Sequence, residues 1–367
     1  MINSIKKKLI SKIKKIGYSI FSLVYGKITD IIDPKNHPSI KIYNKIFDNF
    51  YSYKVYEIKN CTIYTDTVTD TAFIAENKII EGPSFQLRKT KNVDISNNVV
   101  FQKGTPKLKK ILKGSVLSLL TGGGGNENYW HWLFDVLPRI KILDDFKKID
   151  EINFFLLPDI KKKFQIETLD LLNIPRKKRI SSKIFRHVYA DAVFSVDHPY
   201  VLKNNPSIEI QNIPKWIIEF LRKSFLKKNH TKKYPSKIYI DRRDSISNHS
   251  HLRKIINEEE VKDFLIKRGF SIIVLSELSF EEQVHLFKNA NKIIGLHGAG
   301  FANLTFCDPG ANVLELKSKN AGFMYANLAK KLNLNHSEIS INPYDYSNND
   351  QQGFIKIPIN LLEKKIS

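Results

Sequence analysis

The chain has 367 residues, enough for two domains and a large buried core. Its 59 Lys and Arg outnumber 37 Asp and Glu for a formal net charge of +22, while 42% hydrophobic residues and 23 Phe exclude global disorder. The two cysteines, Cys61 and Cys307, are far apart and in no C-x-x-C arrangement, which excludes a zinc ribbon and suits a reducing compartment.

Residues 1–28 read MINSIKKKLISKIKKIGYSIFSLVYGKI. Lys12, Lys14 and Lys15 interrupt any apolar signal-peptide core, no small-residue cleavage site follows, and the uncharged stretch Ile16 to Gly26 is too short to span a bilayer. On a helix, Ile5, Leu9, Ile13, Ile16 and Ile20 form one apolar stripe flanked by Lys6, Lys7, Lys8, Lys12, Lys14 and Lys15. Such a segment suits the interface of an anionic membrane; it equally suits a helix docked on the protein's own core with a solvated lysine face.

Between residues 53 and 120 short β-rich runs recur: YKVYEI, CTIYT, TAFIAE, NNVVFQ and GSVLSLL. From Asn126 the period becomes helical, with Trp130, Leu133, Phe134, Leu137, Ile140 and Leu143 apolar. INFFLLP (152–158) reads as a buried strand and FQIETLDLLN as a helix, followed by HVYADAVFSV. The stretch from His198 to Pro214, with Pro199, Pro206 and Pro214, reads as an inter-domain connection.

The second half alternates more regularly. Strands are expected at 237–242, 270–276, 292–296 and 312–317, with helices over 251–268, 280–290 and the run GFMYANLAKKL, and a loop entering a helix over 297–303. This is the pattern of βαβ units around a parallel sheet, whose ligands bind at the carboxyl ends of the strands. The polar stretch 342–353 is expected to be a surface loop before a last strand and helix.

Residue chemistry then picks out three places. In LHGAGFAN, Gly298 and Gly300 allow a tight turn after a strand, so backbone N–H groups near Ala299 and Asn303 and the helix end suit a phosphate. His297 is a candidate ligand there, and Glu315, at the end of the next strand, is placed to accept hydrogen bonds from ribose hydroxyls. Arg242 and Arg243 end the strand at 237–242 and Arg253 follows, with Asn257 and Glu258 as candidate braces; the planar fork of arginine suits a diphosphate. In TGGGGNENYWHWLFDVLPRI, Asn128, His131 and Asp135 fall on one helical face, and either His131 or Asp135 can take a proton from a substrate hydroxyl.

Absences narrow the field. The sequence holds no D-x-D, no H-E-x-x-H and no P-loop motif, and His249 and His251 make a poor metal pair. Lysine is spread along the chain with no nucleic-acid-binding motif, so no nucleic acid is expected despite the charge.

Four motifs in order, YWHWLFDVLPRI, YIDRRDSISNHSHLRKIINEEE, SFEEQVHLF and ANKIIGLHGAGFANLTF, make the chain resemble glycosyltransferase family 61, including its bacterial capsular-polysaccharide branch. The resemblance runs from about residue 114 to 317 and leaves residues 1–50 uncovered; Trp130 before the histidine departs from the family's usual residue. It implies an α/β fold of GT-B type, two Rossmann-like domains facing across a cleft. The expected parts are a basic amphipathic helix (1–28), an acceptor domain (29–205), a nucleotide-sugar domain (206–341) and a tail (342–367) that crosses back to the first domain.

The resemblance further implies metal-independent, inverting transfer from a nucleotide-diphosphate sugar, expected to be a UDP sugar. The acceptor is a hydroxyl of a glycan or lipid-linked glycan, and the expected location is the cytoplasm or the inner face of the cell membrane. No cofactor or metal is expected. Asp135 or His131 would be the base, and Asn128, Arg242, Arg243, Arg253, His297, Gly298, Ala299, Gly300, Asn303 and Glu315 the substrate contacts. The alternatives are a nucleotide-sugar epimerase on the same scaffold and a non-enzymatic basic protein binding membrane or nucleic acid.

Overall fold

The computed structural model describes residues 2–68, 70–84, 94–120, 127–147, 149–203, 205–226, 232–244, 253–344 and 353–366. The glycine run 122–125 and the pair His249 and His251 lie outside the described residues. Two compact units alternate along the chain: the first takes Met1–Lys161 and Asn173–Pro206, the second Lys162–Leu172 and Ser207–Ser367.

The first unit begins with the helix Ile2–Tyr25 and carries strands β1 (Asp30–Ile32), β2 (Ile40–Phe47), β3 (Tyr51–Thr67), β4 (Asp70–Ala75), β5 (Lys78–Ile80), β6 (Lys110–Ser118), β7 (Phe154–Leu157), β8 (Arg179–Ser181) and β9 (His187–Val196). They form one sheet in the order β1-β5-β4-β3-β9-β6-β7-β8, with β2 also paired to β3. The side from β9 to β8 is parallel, whereas β2, β3 and β4 are antiparallel neighbours.

YKVYEI and CTIYT are not two strands but one. β3 runs 17 residues through the polar Lys59–Asn60 step, where Asn60 adopts φ 51°. Its first part pairs β2, its later part pairs β4, and β9 spans both. Ile58, Ile63, Val116, Leu156, Val188 and Val193 close the core beneath it, all without exposed surface. The run NNVVFQ is helical rather than extended, with a 3-10 turn Ile95–Asn97 and a helix turn Val100–Lys103. Asp94 accepts the Ser96 N–H at 2.9 Å and Asn98 accepts the Val100 N–H at 3.2 Å, so side-chain turns take the backbone donors that a strand would need.

The second unit carries β10 (Lys237–Asp241), β11 (Arg253–Ile255), β12 (Ser271–Val274), β13 (Lys292–Leu296), β14 (Asn312–Ser318), β15 (Asn335–Ile341) and β16 (Gly353–Ile355). Five of them form an all-parallel sheet, β12-β10-β13-β14-β15, and β11 pairs β16 separately. Helices Glu258–Ile266, Phe280–Asn289 and Met324–Lys331 connect the strands, together with a 3-10 helix Ala299–Phe306. Tyr239, Ile294, Leu314, Leu316, Val261 and Leu265 form the core.

Residues 251–268 are not one helix. Arg253–Ile255 is extended because it completes a ladder with β16, and Asn257 ties the join: Oδ1 accepts the Ile357 N–H and Nδ2 donates to the Ile357 carbonyl, both at 2.9 Å. The helix starts only at Glu258, with Glu258, Glu259 and Glu260 in its first turn. The last helix, Ile359–Ile366, buries Leu362 in the core of the second unit. The helix Lys163–Leu171, from the first half of the sequence, also belongs with the second unit, where Glu167 accepts the Phe280 N–H at 2.6 Å.

Candidate functional site

In a parallel sheet of order 2-1-3-4-5 the connections turn opposite ways on either side of the first strand, which opens a crevice at the carboxyl ends of that strand and its third-numbered neighbour. Here those strands are β10 and β13. Arg242 immediately follows β10 and His297 immediately follows β13.

The two are joined through main chain. Arg242 Nη1 donates to the His297 carbonyl at 3.2 Å, and Arg253 Nη1 donates to the same carbonyl at 2.9 Å. Two guanidiniums thus converge on one uncharged oxygen. Burial draws both below the usual guanidinium range, and Arg242 adds repulsion to Arg253. Arg253 Nε has no hydrogen-bond partner among the described residues. Asp244 and Glu258 act on the Arg242 charge and Glu315 on that of Arg253, and two guanidinium forks meeting at one strand end suit an anion.

Gly298 makes room for it. Its φ of 173° is ordinary extended backbone, but a Cβ there would sit 3.1 Å from Arg242 Cζ. Gly298→Ala is therefore expected to weaken binding of an anionic ligand severalfold by displacing the guanidinium, with the melting temperature nearly unchanged; titration calorimetry with inorganic pyrophosphate alongside a thermal melt checks both. The Phe301 N–H closes the first turn on Gly298 O at 3.0 Å, and the opening N–H groups of such a turn have no acceptor inside it.

The imidazole of His297 is buried rather than presented to a ligand. Its Nδ1 hydrogen-bonds Glu315 Oε1, its ring stands 4.8 Å from that of Tyr325, and burial lowers its pKa. Glu315, expected to meet ribose hydroxyls, has no exposed surface, and its other oxygen faces His336 Nε2 at 3.0 Å. Burial alone would raise the Glu315 carboxyl, but hydrogen bonds from His297 and His336 hold it at about 2. What His297 offers the edge of the sheet is its carbonyl.

The remaining candidates separate from this cluster. Arg243 is exposed, its side chain 3.6 Å from Glu277, while its own N–H is held by Asp241. Asn303 is enclosed, donating to Gln283 at 3.0 Å. Glu258 braces β10 by accepting the Tyr239 hydroxyl at 3.0 Å.

The second constellation lies in the first unit. Asn128 caps the helix Tyr129–His131, its Oδ1 accepting the Trp130 N–H at 2.9 Å. The next five residues, Trp132–Val136, form a π-turn that the Leu137 N–H closes on Trp132 O at 3.1 Å. Pro138 explains it: a proline has no N–H for the carbonyl four residues back and crowds it, and a widened turn relieves the clash.

His131 Nδ1 and Asp135 Oδ2 are 2.8 Å apart. Asp135 has no exposed surface, whereas the His131 side chain is 23% exposed. Burial would raise the Asp135 carboxyl, but His131 and His198 together hold it well below the usual range; in turn Asp135 outweighs burial and raises His131.

Two residues that motif reading missed complete this group. His198 Nδ1 accepts the Val201 N–H at 3.0 Å, which assigns its proton to Nε2, 3.6 Å from Asp135 Oδ2. Tyr200 packs edge-on to His198, and burial and then the Asp135 charge push its hydroxyl well above the ordinary range. Arg139 ties the helix to β9 by donating to the Asp135 carbonyl at 3.2 Å and to the Val196 carbonyl at 3.1 Å.

A parallel sheet holding paired guanidiniums at its switch point, and a partly exposed histidine backed by a buried carboxylate, define an α/β protein equipped for an anionic ligand and for proton transfer. The glycosyltransferase 61 family model matches residues 129–314, just over half of the 367 residues, and the chain belongs to that family. It is a glycosyltransferase, and so binds a sugar donor and an acceptor. The matched span includes His131, Asp135, Arg242, Arg253 and His297; Asn128 and Glu315 flank it by one residue at either end. No curated protein matches the chain.

Proposed function

We propose that the protein is a metal-independent, inverting glycosyltransferase of GT-B type. It moves a sugar from a nucleotide-diphosphate donor, a UDP sugar, to a hydroxyl of a glycan or lipid-linked glycan in the synthesis of capsular or other surface polysaccharide, and it works in the cytoplasm. The observation that carries this reading is the convergence of Arg242 and Arg253 on the His297 carbonyl. Negative charge grows on the departing diphosphate as its bond to the sugar breaks, and fixed cations aimed there stabilise that charge.

Acceptor activation falls to His131, with Asp135 as its positioning residue. Asp135 is fully buried, whereas the His131 side chain is partly exposed, which favours His131 for the contact with substrate. With Nδ1–H given to Asp135, His131 Nε2 carries the lone pair that takes the acceptor's proton. The hydroxyl oxygen then bonds the anomeric carbon from the side opposite the diphosphate. The carbon–oxygen bond to the diphosphate breaks with its electron pair, and the proton stays on His131.

Thermal melts in the presence of UDP, GDP or CMP test the donor assignment. UDP at about 100 times its Kd is expected to add roughly 2.7 kcal/mol of stability, with GDP and CMP doing less. The absence of any shift with a nucleoside diphosphate would reject the reading, and an enzyme that EDTA inactivates and Mn²⁺ restores would reject its metal-independent part.

A further inference from the structure

We propose that the N-terminal helix Ile2–Tyr25 lies along an anionic lipid surface with its aliphatic stripe in the interface, while its opposite face holds the first unit. The helix is rooted at one end. The Tyr25 hydroxyl accepts the Lys109 N–H at 3.2 Å, its ring stands edge-on to His187 at 4.8 Å, and Lys109 Nζ lies 4.7 Å over that ring. Gly104 packs so closely on Ser22 that a Cβ there would fall 3.1 Å from the serine oxygen.

At 3.6 residues per turn, Tyr18, Ser22 and Tyr25 share one face. Leu9, Ile13, Ile16, Ile20, Leu23 and Val24 lie on the other, and each is between 54 and 86% exposed. The helix therefore docks by its hydroxyl-bearing face, and the protein's own core does not cover the aliphatic one.

Charge selects what does. Residues 1–28 hold Lys6, Lys7, Lys8, Lys12, Lys14, Lys15 and Lys27 and no acidic residue. Anionic headgroups complement that charge, each lysine near the surface strengthening binding roughly fivefold, and long lysine stems reach past an apolar stripe to the headgroups. A second copy of the helix is the competing occupant, since Leu9, Ile13, Ile16, Ile20 and Leu23 follow a heptad spacing. Two such helices would bring like charges together with no acid to pair them, and Ile10 and Val24 widen the stripe beyond a two-position seam. No helix among the described residues is long and apolar enough to cross a membrane, so the 24-residue helix lies flat over about 36 Å.

The test is flotation of the full chain with vesicles of phosphatidylcholine alone or with a quarter phosphatidylglycerol, at low and physiological salt. Binding is expected only with phosphatidylglycerol and is expected to weaken as salt rises. Lys12→Ser with Lys14→Ser and Lys15→Ser should weaken it roughly 100-fold. Ile13→Glu with Ile16→Glu should abolish it, and an unchanged melting temperature for that variant shows the fold intact. The proposal is overturned by equal binding to both vesicles, by no binding, or by retained binding in the glutamate variant. It is also overturned if light scattering finds a lipid-free dimer that the glutamate variant makes monomeric. None of these outcomes depends on the sugar chemistry proposed above.

Discussion

Arg253→Ala is expected to lower kcat by about 10²–10³-fold, the loss that follows removal of one preorganised donor from developing negative charge. The melting temperature should barely move. Arg253 is anchored on the His297 carbonyl, and the buried Glu315 carboxylate, whose charge acts on it, keeps its hydrogen bonds to His297 and His336 when the guanidinium is removed. On the proposed reading the same guanidinium serves bound and departing diphosphate, so the stabilisation by UDP should fall with kcat. Arg253→Lys should restore little, since an ammonium is a point charge without the planar fork. Arg243→Ala is the control: its side chain is 61% exposed beside Glu277, so activity should stay within about twofold of the parent, the scale of an exposed pair. Steady-state kinetics and thermal melts on the three variants check the whole set, and full activity in Arg253→Ala would remove that residue from the site.

Asp135→Asn carries the other large effect. In enzymes where a buried aspartate orients a histidine base, the same exchange costs about 10⁴ in kcat because the imidazole loses its tautomer and its ion partner. A similar loss is expected here, with a signature in pH. Asp135 raises the pKa of His131 against the opposing effect of burial. A base works only when neutral, so kcat rises with pH through the His131 pKa. Without the carboxylate only burial remains, which lowers that pKa, so the acid limb of the variant should move to lower pH while its plateau falls. A pH–rate profile measures both. A limb that stays in place would show that His131 is not the titrating base.

Much of this arrangement is legible in the sequence because parallel sheets place function by rule. Strands β10, β12, β13 and β14 are short apolar runs separated by helix-period segments, and the residue after each strand end is a candidate by position alone. The rule flagged Arg242 and His297. It could not separate Arg242 from Arg243, because successive side chains leave a strand on opposite sides and the sequence does not show which side is the crevice. His198 follows the carboxyl end of β9, which runs parallel to β6, so the same rule would have found it had β9 been recognised as part of the parallel side.

His336 had no such signal. It sits on β15, whose NHSEISI alternates polar residues and reads as coil, and only the ladder with β14 makes it a strand. Glu315 shows the opposite failure: it was expected at a strand end, but β14 runs on to Ser318, so Glu315 sits mid-strand with its carboxylate turned inward to two imidazoles. The π-turn at Trp132–Val136 was signalled by Pro138, but a proline inside an apolar helical period reads more readily as a kink or a stop.

The helix Lys163–Leu171 means that neither half of this protein is a module in the genetic sense. A synthesising ribosome releases it before the last strands of the first unit, yet its packing partners around Phe280 emerge more than a hundred residues later. A single crossover at Pro206 would separate the helix from the unit it completes and leave Phe280 without its carboxylate. Any exchange or separate expression of the second unit must therefore carry two segments of the chain at once, Lys162–Leu172 and Ser207–Ser367.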